Sequence, residues 1–200
     1  MTTDFEGGLW SIQISSECCS GCGPCYEGHK ASTIRKFGVN RSEAFYVLKK
    51  YIDPIEKINT DRLCLQETYI KSDTIHDIKR EWRGQVFHRH GTSRSNGLLI
   101  LTGTKPMNEE TELVKETDRI LITKIAINNV VHTVVNCYTP NTTIEKIHFL
   151  HQLQEELQNI ETDSVWVAGD FNIALEQADN IAGLPHHERE VATFKDTLAH

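Results

Sequence analysis

The chain has 200 residues, 38% hydrophobic and 24% charged, with a formal net charge of −7. That length suits one domain with a real core, and the acidic balance argues against a general nucleic-acid coat, though not against a metal-dependent nuclease, whose site must itself be acidic. No apolar run approaches the roughly 18 residues of a membrane span, and Met1-Thr2-Thr3-Asp4-Phe5-Glu6 lacks a signal-peptide pattern, so no membrane association and an intracellular location, nuclear or cytoplasmic, are expected.

Residues 1–30 are rich in Ser, Gly and Cys and show no sustained period, which predicts a poorly ordered leader. Four of the six cysteines lie in Cys18-Cys19-Ser20-Gly21-Cys22-Gly23-Pro24-Cys25, with His29 close behind. Two C-x-x-C steps make half of a zinc or iron–sulfur site, and a second ligand pair at zinc-finger spacing is absent. A Cys-rich metal-binding or interaction module is the alternative reading of this segment.

Residues 31–200 carry the regular patterning, and the domain is placed there. Ser32–Val39 reads as a short strand. Arg41–Tyr51 sets Ala44, Phe45, Val47, Leu48 and Tyr51 on one helical face, ended by Asp53-Pro54. Arg62–Gln66 is a strand that stops at Glu67. His76–Trp82 is mixed, Gln85–His88 extended, Gly91–Asn96 a polar loop and Gly97–Thr102 a buried strand. Arg119–Ile127 and Val130–Cys137 flank Asn128-Asn129, a two-residue hairpin signal. Thr142 with Glu145 predicts a capping box, opening a helix with Ile147, Leu150, Leu153 and Leu157 inward. Val165–Ala168 is a strand ending in Gly169-Asp170-Phe171-Asn172, and Glu188–His200 opens another helix. Alternating strands and helices around a central hairpin predict a mixed-sheet α/β sandwich.

Polar residues gather at the strand ends: Glu67, Tyr138 with Asn141, and Asp170 with Asn172. Singly, each reads as a solvated Glu, a turn or packing. Gly-Asp is common turn chemistry, yet Asp170 and Asn172 also set a carboxylate beside an amide, able to position a water, a phosphate oxygen or a hydrated cation.

In this order the segments Leu65-Gln66-Glu67-Thr68, His90-Gly91-Thr92-Ser93 with Ser95-Asn96-Gly97-Leu98, Asn136-Cys137-Tyr138-Thr139-Pro140-Asn141 and Gly169-Asp170-Phe171-Asn172 resemble the endonuclease/exonuclease/phosphatase superfamily. They look most like the endonuclease domain of LINE-type (non-LTR) retrotransposons. The resemblance spans about Ala31 to His200. It implies an α/β fold in which a two-sheet, DNase I-like β-sandwich is flanked by helices, and Mg²⁺-dependent (or Mn²⁺-dependent) cleavage of DNA. Carried across by position, Glu67 would hold the metal and Tyr138 would orient the scissile phosphate. Asp170 would position or deprotonate the attacking water, Asn172 would fix the phosphate or Asp170, and Asn141 would shape the pocket floor. A hard cation that keeps waters and uses one or two carboxylates suits that set.

The sequence departs from the family in three ways. The family's opening strand reads Thr-hydrophobic-Asn-x-Asn-Gly, whereas the aligned run Thr33-Ile34-Arg35-Lys36-Phe37-Gly38-Val39 has Arg35 and Phe37 in place of both asparagines. A guanidinium cannot ligate a cation, so Arg35 is expected in the pocket as a neutralising partner of Glu67 or Asp170. Alignment on Ser11-Ile12-Gln13-Ile14-Ser15, with an amide at Gln13, is the alternative. The C-terminal strands carrying an Asp and a final Ser-Asp-His are expected to be missing, and so is the reverse transcriptase linked to such a domain in an intact element. A non-catalytic, degenerate fragment is therefore the alternative, and with these departures no Mg²⁺-dependent nicking is expected of the chain by itself.

Overall fold

A computed structural model describes residues 9–15, 34–38, 62–70, 72, 75–91, 97–102, 111–127, 130–162, 164–173 and 188–198, the first two stretches as backbone. Nine strands and three helices lie within them. The strands are β1 (Leu9–Ser15), β2 (Ile34–Gly38), β3 (Arg62–Gln66), β4 (Val86–Arg89), β5 (Leu98–Thr102), β6 (Thr111–Glu116), β7 (Ile120–Ile127), β8 (Val130–Tyr138) and β9 (Ser164–Asp170). The helices are α1 (Ile75–Glu81), α2 (Thr143–Gln158) and α3 (Glu188–Leu198). A five-stranded sheet runs β2-β1-β3-β5-β4 and a four-stranded sheet runs β6-β7-β8-β9. Among the described residues no helix is long and apolar enough to cross a membrane.

The alternation of side chains along each strand builds two cores. Cys64, Leu98 and Ile100 of the first sheet meet Leu121, Val134, Tyr138 and Ala168 of the second. The opposite face of the second sheet, with Ile120, Ile122, Val135 and Cys137, packs on Phe149 and Leu153 of α2. Each strand of the β7–β8 hairpin thus feeds both layers. Ile127 pairs with Val130, as a two-residue connection requires; Asn128 and Asn129 themselves lie outside the described residues.

Several expectations change on contact with the coordinates. Leu9–Ser15, inside the stretch read as a leader, is a strand hydrogen-bonded between β2 and β3. Its sequence carries the reason: Trp10, Ile12 and Ile14 alternate with Ser11, Gln13 and Ser15, a strand period masked by the cysteine-rich sequence beyond it. The mixed segment around His76 is the helix α1, with Ile75 and Ile78 buried. β6 lies in a stretch given no element, because its side chains are mostly exposed and show no apolar alternation. The buried face of α2 is Lys146, Phe149, Leu150 and Leu153, rotated from the predicted stripe and including a lysine. The capping box does not form: Thr142 Oγ1 donates to Glu145 Oε2 at 2.8 Å, with no side-chain bond to the cap amides. The predicted helix Arg41–Tyr51 and the Cys18–Cys25 cluster lie outside the described residues.

Candidate active site

The site grows from the contact between the two sheets. Gln66 follows Cys64 by two residues on β3, and Asn136 follows Val134 by two on β8, so both amides enter the apolar interior. Fully buried, they satisfy one another: Gln66 Nε2 donates to Asn136 Oδ1 at 2.6 Å. Asn136 Nδ2 in turn donates to the carbonyls of Leu65 and Leu99, each at 3.0 Å. One amide therefore ties β8 to both β3 and β5. A buried amide left without these bonds would cost free energy, so the network fixes the separation and register of the sheets.

Two residues beyond Asn136, on the same face of β8, stands Tyr138. Its hydroxyl donates to Glu67 Oε1 at 2.7 Å. Consecutive residues Gln66 and Glu67 thus reach one face of the sandwich, which a regular strand forbids. The break in alternation is visible in the backbone, where Glu67 has φ 53°, in the left-handed region. For a glutamate that conformation costs on the order of 1–3 kcal/mol, and such strain gathers at functional sites. Thr68, fully buried, follows, and its amide donates to the carbonyl of Gly97 at 3.3 Å. Gly97 has φ +89°, and a Cβ there would stand 2.9 Å from Thr68 Oγ1, so only glycine fits against this turn.

β9 runs parallel to β8, with Tyr138 level with Asp170 and Cys137 level with Gly169. A Cβ at Gly169 would collide with the carbonyl of Cys137, so the glycine permits this close approach. Beyond the strand, Asp170 Oδ1 accepts from the Asn172 amide at 3.1 Å, an Asx-turn. Asn172 has φ 49°, and its side-chain Nδ2 donates to the carbonyl of Thr139 at 2.8 Å. The Thr139 amide donates to the Asp170 carbonyl at 2.9 Å. Asp170 and Asn172 are thereby locked to the end of β8.

The electrostatics follow from burial. Glu67 is 7% and Asp170 8% exposed, two carboxylates at one end of a closed sandwich. Desolvation, then the hydrogen bond to Glu67 and the charges of Glu67 and Asp170, push the Tyr138 hydroxyl far above its ordinary range, so it is a donor throughout the working pH range. Arg119, at the start of β7, brings positive charge: its guanidinium lies 5.4 Å from the Tyr138 ring centroid and donates to the Tyr138 carbonyl at 3.3 Å. Among the described residues no group of three or more His, Cys, Asp or Glu side chains could hold a metal ion. The oxygen donors that are present, two carboxylates, are of the kind a hard cation takes.

Glu67, Tyr138, Asp170 and Asn172 are therefore brought together. Asn141 is not part of this cluster. It sits at an exposed bend between β8 and α2. Arg35 lies on the edge strand β2, level with Ile12 of β1, which is level with Leu65 of β3. Its side chain, and with it the expected pairing to Glu67 or Asp170, lies outside the described residues. The strand beside β3 is β1, and it places Gln13 level with Gln66. Gln66, Asn136 and Arg119 were not picked out singly as site residues, although Gln66 and Asn136 stand inside the motifs. An amide at an inward position of an apolar strand is the signal that finds them.

No family model matches the chain. A curated relative, the Transposon TX1 uncharacterized 149 kDa protein of Xenopus laevis, is 26% identical over 141 residues, which is 68% of this chain and 10% of the relative. The chain thus spans about a tenth of that protein's length. Among solved structures, sphingomyelinase C from Streptomyces griseocarneus matches with a TM-score of 0.54 at 15% identity, over 78% of this chain and 62% of that one. A humanized D. rerio TDP2 bearing 14 mutations matches with a TM-score of 0.50 at 19% identity, over 72% and 61%. Truncated Caenorhabditis elegans TDP2 matches with a TM-score of 0.50 at 15% identity, over 66% and 57%.

Proposed function

Given a chain with the two-sheet fold of the endonuclease/exonuclease/phosphatase proteins, resembling a retrotransposon endonuclease, we propose that it is the phosphodiester-cleaving part of such an element. Its substrate is DNA and its cofactor a divalent cation, Mg²⁺ or Mn²⁺. The observation that carries this reading is the Tyr138–Glu67 hydrogen bond with Asp170 and Asn172 fastened beside it. The transposon relative supports the retroelement origin, and a linked reverse transcriptase belongs to the same proposal.

Glu67 would hold the cation, with Tyr138 orienting its carboxylate. When bound, the ion would make water more acidic and offset charge on the phosphate. Asp170 orients the attacking water and takes its proton, which a carboxylate held by the Asn172 amide is placed to do. Tyr138, protonated at every working pH, offers a hydrogen-bond donor and no negative charge of its own. The Asn172 side chain keeps the turn closed on Thr139. Asn141, exposed just beyond β8, would contact the substrate backbone.

Nicking of supercoiled plasmid tests the proposal. With Glu67, Tyr138, Asp170 and Asn172 at one end of the sandwich, and against the expectation from the sequence, the purified chain should nick in Mg²⁺, stop on chelation, and lose at least a hundredfold in rate in Glu67→Ala. A folded chain that binds the cation and never nicks would replace this reading with that of a non-catalytic copy of the domain.

A further inference from the structure

The α2 helix presents Lys146 on its buried face, where an apolar residue would be expected. The ammonium reaches two acceptors, each at 2.6 Å: the backbone carbonyl of Asn172, and Glu190 Oε2 of α3. The side chains of Lys146 and Glu190 are only 6% and 5% exposed. One turn further along α3, Phe194 meets Phe171 edge-on, with ring centroids 4.6 Å apart. Both neighbours in the turn Phe171-Asn172 are thus held from outside the sheets, one by an ammonium and one by an aromatic ring. The turn needs holding, because Asn172 sits at φ 49° while its amide serves Asp170 and its side chain serves Thr139. A buried ion pair by itself is a weak source of stability, and well-packed apolar residues often replace it without loss. The second bond of Lys146, to a backbone carbonyl in the site, is what an apolar replacement cannot supply.

We infer that Lys146 is a positioning residue: it holds the Asn172 turn so that Asp170 keeps its orientation, and Glu190 holds Lys146 in place. The inference rests on the proposed phosphodiesterase reading only for its catalytic consequence. Neither residue touches the reacting atoms, so the effect passes through Asp170.

The test compares wild type with Lys146→Met/Glu190→Leu, which removes both buried charges together and so preserves folding, and with Glu190→Gln, which keeps the ammonium. Amide hydrogen exchange is read at Asn172, with Val135 of β8 as the internal reference. Exchange at Asn172 is expected to rise at least tenfold in the double variant, to change less than threefold in Glu190→Gln, and to stay constant at Val135 in both. Unchanged exchange at Asn172 in the double variant overturns the inference, as does an equal rise at Val135, which marks general loosening. In the nicking assay the double variant should lose at least tenfold in kcat with KM for DNA within threefold. Loosened exchange with unaltered kcat also overturns the inference. If the wild type nicks nothing, the proposed function fails, while the exchange comparison still decides whether Lys146 holds the turn.

Discussion

Glu67 and Tyr138 are 71 residues apart in the chain, and their side-chain oxygens are 2.7 Å apart. Tyr138 reaches that position by regular strand alternation from Asn136. Glu67 reaches it by abandoning alternation, through its left-handed backbone. The bond therefore joins a residue placed by regular structure to one placed by strain, and the strain is held by the Gln66–Asn136 network on one side and Thr68 on the other.

Tyr138→Phe removes the hydroxyl and keeps the ring. The Glu67 carboxylate then loses a donor in a buried setting, which costs about 1–3 kcal/mol. A fall in thermal stability and a loss of about a hundredfold in nicking rate are expected. The variant also reports on alkaline stability. The folded-state pKa of Tyr138 lies above its ordinary value of 10.0, so its contribution is complete below pH 10 and is lost as pH rises through the folded value. Denaturant midpoints measured from pH 8 to pH 11 should decline less steeply in Tyr138→Phe than in wild type; parallel declines would refute this.

Gly169→Ala places a methyl group against the Cys137 carbonyl, across the pair of strands that sets Tyr138 beside Asp170. Overpacking of this kind costs about 1–3 kcal/mol. Calorimetry should register that loss, and nicking should fall further than the loss of folded protein explains. A variant with wild-type stability and rate would show that β8 and β9 tolerate a wider spacing.

Cys64 and Cys137 are fully buried, and burial pushes the Cys64 thiol up to about 12, against the opposing charge of Arg62, and Cys137 higher still. Thiolate is the reactive form, so neither should react with a disulfide reagent in the native state. A chain in which Cys18, Cys19, Cys22 and Cys25 are serine should show no fast titre at pH 8 and a titre of two on denaturation. Fast native labelling of either thiol would contradict the packing of both cores.

The sandwich was legible in the sequence because most strands announce themselves. Apolar runs at Arg62–Gln66 and Gly97–Thr102, and the two-residue hairpin at Asn128-Asn129, left few alternatives. β1 is legible only as the alternative alignment on Ser11–Ser15, because its short alternation is followed by the cysteine-rich segment, and β6 is hidden because an exposed edge strand leaves no apolar period. Glu67, Tyr138, Asp170 and Asn172 were legible as motifs at strand ends. The reasons they meet were not. Left-handed φ at Glu67 is a backbone state that glutamate does not advertise. The lysine on α2 was hidden by reading its apolar stripe one position off, at Ile147 in place of Lys146. Motif order along the chain also does not reveal that β1, and not β2, lies beside β3.

The Tyr138–Glu67 bond also dates the site in the life of the molecule. Its parts come from different sheets and stand 71 residues apart in the chain, and contacts of that span form late, after the entropy of loop closure has been met. A ribosome that has released β3 and Glu67 has released a carboxylate whose tyrosine partner is not yet made. The turn that fastens Asp170 arrives about a hundred residues later, tens of seconds or less at ordinary elongation rates. Until then the growing chain has no assembled centre, and a chain arrested before Asn172 would be chemically silent, however well its first sheet had folded.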